Sequence, residues 1–121
     1  MSVKVKDIMG VMENIAPKHL AEGWDNVGLA IGDPEREVTK ILVALDVIDP
    51  VVEEAKAIGA EMIVTHHPLI FSGLKKISPE DKVGEAVIKA IKAGISIYAA
   101  HTSADKVIAG VSGAMAARLG L

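Results

Sequence analysis

The chain has 121 residues, with 13 Lys and Arg against 16 Asp and Glu and no cysteine, which excludes a disulfide framework, thiolate zinc sites and a cysteine nucleophile. Its formal net charge of −3 and singly scattered basic residues argue against nucleic acid as a partner. No apolar run approaches the roughly 20 residues of a membrane helix, and the first residues lack a signal-peptide core, so a cytoplasmic protein with no membrane partner is expected. Half of the residues are apolar, yet Trp24, Phe71 and Tyr98 are the only aromatic ones. The core must therefore be built from Val, Ile, Leu, Met and Ala, and the length suits one domain, 1–121.

In chain order, Val5, Ile8, Met9, Met12 and Ile15 recur at spacings of three and four, which predicts an amphipathic helix over 3–16, stopped by Pro17. An apolar run at 27–31, closed by the Gly32-Asp33-Pro34 turn, reads as a short strand. Residues 39–45 are nearly all hydrophobic or β-branched, as in a strand covered on both faces. Asp49 and Pro50 read as N-cap and first residue of a helix that Gly59 ends. Residues 61–65 form a second buried strand, followed by His66-His67-Pro68 and a loop. Ser78-Pro79-Glu80-Asp81 signals a helix start, Val83, Val87, Ile88 and Ile91 give that helix its apolar face, and Gly94 closes it. A third buried strand over 95–99 leads to a weaker helix at 107–119, interrupted by Gly110 and Gly113. This alternation predicts an α/β fold: a largely parallel or mixed sheet of about four strands flanked by helices.

Ligands of open α/β sheets bind beyond the carboxyl ends of the strands. Three predicted strands end in ionisable residues: Asp46 after the first buried strand, His66 and His67 after the second, His101 and Asp105 after the third. Adjacent histidines on a regular strand point to opposite faces, but Pro68 turns the chain and lets both imidazoles serve one site. His66, His67 and Asp105 are thus candidate ligands for one or two divalent ions such as Zn²⁺, Mn²⁺, Fe²⁺ or Co²⁺; the competing reading of His66-His67-Pro68 is an ordinary loop. Asp46 reads as a turn cap or a functional acid. His19 reads as a solvated loop residue, Trp24 as a packing anchor or a stacking surface, and Ser72-Gly73 as a turn or a lid tip. No Walker or Rossmann glycine loop and no Gly-x-Ser-x-Gly elbow is present.

Four blocks together, Gly23-Trp24-Asp25-Asn26-Val27-Gly28-Leu29, Ala44-Leu45-Asp46, Ile63-Val64-Thr65-His66-His67-Pro68-Leu69-Ile70-Phe71 and Tyr98 through Asp105, resemble the Nif-three-like family, the GTP cyclohydrolase I type 2 homologues. The resemblance implies a dinuclear metal centre with His66, His67 and Asp105 as ligands, His101 lining it, and assembly as a homo-oligomer, a toroidal hexamer in that family. Family members are considerably longer, and their second half supplies a further His and a Glu to the metals. This chain is expected to correspond to the first half of their fold. Two functional expectations follow. One is a metal-dependent hydrolase of a small phosphorylated or nucleotide-like substrate, with His101 as proton shuttle. The other is a non-catalytic metal-binding scaffold or regulator that acts through oligomerisation and partner contacts.

Overall fold

The computed structural model describes residues 3–17, 26–70 and 73–100. They form α1 (Val5–Ile15), β1 (Gly28–Ile31), β2 (Ile41–Ala44), α2 (Asp49–Ile58), β3 (Met62–Thr65), α3 (Lys82–Ala93) and β4 (Ser96–Ala99). The helix expected at 107–119 lies outside the described residues. Among those described, no helix is long and apolar enough to cross a membrane.

The four strands make one mixed sheet in the order β1-β4-β3-β2. β2, β3 and β4 run parallel, and β1 closes the other side antiparallel to β4. Both crossovers, β2 to β3 and β3 to β4, advance in the same direction, so a constant crossover hand puts α2 and α3 on one face. Side-chain alternation then builds two cores. Ile63 and Ile97 pack with Val52, Ala55, Val87 and Ala90 under α2 and α3. Met62, Val64 and Tyr98 pack with Val5 of α1 and, more loosely, Ile8, Met9 and Met12. All four residues of β3 and of β4 are buried, as expected of parallel strands covered on both faces. Burial raises the Tyr98 phenol above its ordinary pKa, and the charge of Glu13 adds to the effect.

The three helix starts differ from the sequence reading, each for a physical reason. α1 starts at Val5 because residue 3 is used in pairing: the Val38 amide donates to the Val3 carbonyl at 2.7 Å, while the Asp7 carboxylate accepts the Lys4 N–H at 2.8 Å as in a capping box. α3 starts at Lys82 with Asp81 as its cap, because Ser78 instead closes a turn: its carbonyl accepts the Asp81 N–H at 3.3 Å. α2 includes Asp49, with Ile48 at the N-cap, and the Asp49 carboxylate meets Lys89 of α3 at 2.6 Å. That close ion pair, reinforced by Glu53, raises the Lys89 pKa. The C-terminal stops fall where expected, with Gly59 and Gly94 in the left-handed region at φ 75° and 69°, a conformation glycine adopts without strain.

Among the described residues, none covers the second face of β2 along its whole length. Val43 is 76% exposed and Leu45 is 62% exposed, because β2 ends the sheet order and α1 packs over Met62, Val64 and Tyr98 of the inner strands. The start of β2 is held differently. The Glu61 carboxylate accepts from the Thr39 hydroxyl at 2.6 Å and from the Lys40 amide at 3.1 Å. The Thr39 hydrogen bond is the main cause that holds Glu61 below its ordinary value of 4.5. A carboxyl whose folded pKa is depressed stabilises the fold above its unfolded pKa and loses that contribution as pH falls through the folded value. Glu61→Gln is therefore expected to melt below wild type at neutral pH, with the two melting curves converging in acid below pH 4.5; pH-dependent thermal melts of both proteins check this.

Candidate metal centre

The parallel strands β2, β3 and β4 end on one side of the sheet, and of the predicted residues Asp46, His66 and His67 follow β2 and β3 there. The ladder between β2 and β3 continues past both strands: His66 N–H donates to the Ala44 carbonyl at 3.3 Å and His67 N–H to the Leu45 carbonyl at 2.9 Å. Buried Thr65 tightens the same turn, with its hydroxyl 2.9 Å from the Leu45 carbonyl and 3.1 Å from that of His67. From the other side, Ala100 N–H reaches the Thr65 carbonyl at 3.0 Å. Both neighbouring strand ends thus fix the backbone that carries the two imidazoles.

Once past Thr65 the chain bends, and the His66 and His67 rings lie with centroids 5.0 Å apart, tilted by 43°. They are neither stacked nor on opposite faces of the sheet. Asp46, two residues beyond β2, meets His67: its Oδ1 is 2.5 Å from His67 Nδ1. The His67 and Asp46 side chains are 44% and 52% exposed, so solvent screens the pair and its contribution to stability is small. Its consequence is geometric. The Asn26 side-chain amide donates to the Ile70 carbonyl, tying the segment before β1 to the loop that follows the histidines.

The structure therefore brings together His66, His67 and Asp46 of the sequence-predicted set. His101 and Asp105 lie outside the described residues, as do His19, Trp24, Asp25, Phe71 and Ser72. Among the described residues no three His, Asp or Glu side chains converge to enclose an ion. Two neighbouring imidazoles at a solvent-accessible strand end nevertheless fit a borderline divalent ion that keeps open positions. Thr65 escaped the sequence reading; a hydroxyl residue closing an otherwise aliphatic strand was the signal that could have found it.

A concavity of about 480 Å³ between β1 and α3, lined by Ile31, Arg36, Ile77, Val87 and Ile91 among others, touches neither histidine. A second, of about 330 Å³, has Val47, Asp49 and Leu69 in its wall and so adjoins the loops that flank the histidines. The chemistry at the strand ends sits on an open rim rather than inside either hollow.

The sequence profile of the Duf34/NIF3 (NGG1p interacting factor 3) family matches residues 3–121. A Clostridium perfringens protein named GTP cyclohydrolase 1 type 2 homolog is 46% identical over 118 residues, which are 98% of this chain and 45% of that protein. Among solved structures, a Bacillus cereus protein related to NIF3 superposes with a TM-score of 0.94 at 43% identity, covering 100% of this chain and 33% of its own. Reduced HcgD from Methanocaldococcus jannaschii superposes with a TM-score of 0.92 at 31% identity, covering 100% and 48%. The chain spans less than half the length of these relatives.

Proposed function

The chain belongs to the Duf34/NIF3 family, and from that premise we propose that it binds one or two divalent metal ions at the ends of β3 and β4 and serves metal-dependent hydrolysis of a small phosphorylated or nucleotide-like molecule. The observation that carries the reading is the placement of His66 and His67: adjacent in sequence, turned onto one side of the sheet edge, with ring centroids 5.0 Å apart. Asp105 is the proposed third ligand. When bound, such an ion lowers the pKa of a coordinated water toward neutrality and so supplies a nucleophilic hydroxide.

The chain's own residues have separate tasks. His66 and His67 hold the ion, Thr65 and the continued β2–β3 ladder fix their backbone, and His101, whose ordinary pKa lies near neutrality, moves a proton to or from the reacting group. The name carried by the Clostridium perfringens relative makes a guanine nucleotide the first substrate to try. Self-association into a hexamer and a cytoplasmic location belong to the same reading.

A second reading, a metal-binding scaffold without turnover, is favoured by the position of His66 and His67 on an open rim, outside the walls of both concavities. Metal-stripped protein titrated with Zn²⁺, Mn²⁺, Fe²⁺ and Co²⁺ is expected to take up one or two ions per chain. The loaded protein is then assayed on GTP and a panel of phosphate esters: turnover supports the hydrolase, and binding without turnover supports the scaffold. A chain that retains no ion at micromolar metal overturns both.

A further inference from the structure

We propose that Asp46 is a positioning residue for the metal centre: its carboxylate holds the Nδ1–H of His67, which fixes the ring and directs the Nε2 lone pair to the ion. The inference rests on the metal reading above, in which His67 is a ligand, and adds a residue with a defined task.

A carboxylate only accepts hydrogen bonds. In the 2.5 Å contact between His67 Nδ1 and Asp46 Oδ1 Nδ1 is therefore the donor, and the tautomer of the ring that this contact selects is the one with its lone pair on Nε2. This is the arrangement in which an outer carboxylate orients a ligating histidine, fixes its tautomer and raises its basicity. The backbone is held at the same point, since the His67 amide is bonded to the Leu45 carbonyl at 2.9 Å and Leu45 directly precedes Asp46. One short stretch after β2 thus grips both the main chain and the ring of His67. Because β2 and β3 are in register, with Ala44 opposite Thr65, the residue two past one strand meets the residue two past the other. Ion pairing alone gives no comparable reason for the contact, because both side chains are about half exposed and such pairs stabilise weakly.

The test uses the full chain with Asp46→Asn and Asp46→Ala, Zn²⁺ as the probe, and the ¹⁵N shifts of the His67 ring with and without the ion. Wild type without metal is expected to show the Nδ1–H tautomer, Asp46→Ala a shift toward Nε2–H, and Asp46→Asn, which keeps an acceptor oxygen, an intermediate state. Zn²⁺ affinity, read by competition with a chromophoric chelator, is expected to fall roughly 10- to 100-fold for Asp46→Ala and less for Asp46→Asn. Thermal melts of both variants should stay close to wild type, because the substituted side chain is half exposed. An unchanged tautomer, an affinity within twofold of wild type, or Zn²⁺ located on Nδ1 overturns the proposal while leaving the metal reading intact. Failure of wild type to bind Zn²⁺ overturns the metal reading itself, and this proposal with it; that result is recognised without reference to either variant.

Discussion

Alanine at position 84 is expected to destabilise the protein by about 1–3 kcal/mol, although replacing a helical glycine by alanine ordinarily stabilises. Gly84 lies in the first turn of α3 and is buried. A Cβ built there falls 2.3 Å from the Ser78 carbonyl oxygen and 2.7 Å from the Ser78 nitrogen, so backbone rather than a yielding side chain blocks it. The gain in helix propensity, roughly 0.5–1 kcal/mol, is too small to offset moving the 78–81 turn. For a domain of this size the net loss lowers the melting temperature by roughly 3–10 °C. Gly10, in the middle of α1, is the internal comparison. Among the described residues nothing lies within 4 Å of a Cβ at that position, and Gly10→Ala should raise the melting temperature slightly. Melting curves of the two variants check opposite signs for one chemical change, and equal shifts would show that the contact with Ser78 does not constrain α3.

Replacing the His67 imidazole is expected to abolish the proposed metal binding while sparing the fold. Loss of an orienting partner costs a metal site roughly 10- to 100-fold in affinity, so loss of the ligand itself should exceed that range. Stability should stay within about 0.5 kcal/mol of wild type, as for surface changes generally, because the ring is 44% exposed and the backbone bonds of residue 67 do not depend on it. A double-variant cycle sharpens the result. If Asp46 acts through His67, adding Asp46→Ala to His67→Ala changes Zn²⁺ affinity no further, whereas independent contributions would add. Chelator competition on the four proteins of the cycle measures this. Full retention of Zn²⁺ by His67→Ala would remove His67 from the ligand set.

Much of the architecture was legible because it rests on local periodicity and punctuation. The spacing of Val5, Ile8, Met9 and Met12 marks α1, the aliphatic run through Ile63 and Val64 marks β3, and Gly59 and Gly94 end their helices where the left-handed conformation is needed. Ser78-Pro79 misled for an equally local reason: the same residues that open a helix also make a tight turn, and it is the Asp81 side-chain cap on the Val83 N–H that marks the true start. Strand order lies beyond periodicity altogether. The residues of β2 read as fully buried, but its place at the end of the sheet leaves Val43 open to solvent. For the site, the pair His66-His67 stood out by composition and by the turn at Pro68. The partnership of Asp46 with His67 did not, since it spans 21 positions and exists only because β2 and β3 are neighbours in register. A turn-capping reading of Asp46 uses the sequence next to it; the observed contact uses the sheet.

The exposed side of β2 has a consequence for handling the protein in solution. Residues 41–45 (Ile-Leu-Val-Ala-Leu) contain neither charge nor proline and lie at the sheet's end, the kind of segment that templates strand addition between molecules and leads to aggregation. Lys40 and Asp46 bracket this run as gatekeeper charges. Removing the carboxylate that meets His67 is therefore expected to favour self-templating, which turbidity of concentrated Asp46→Ala measured against wild type checks.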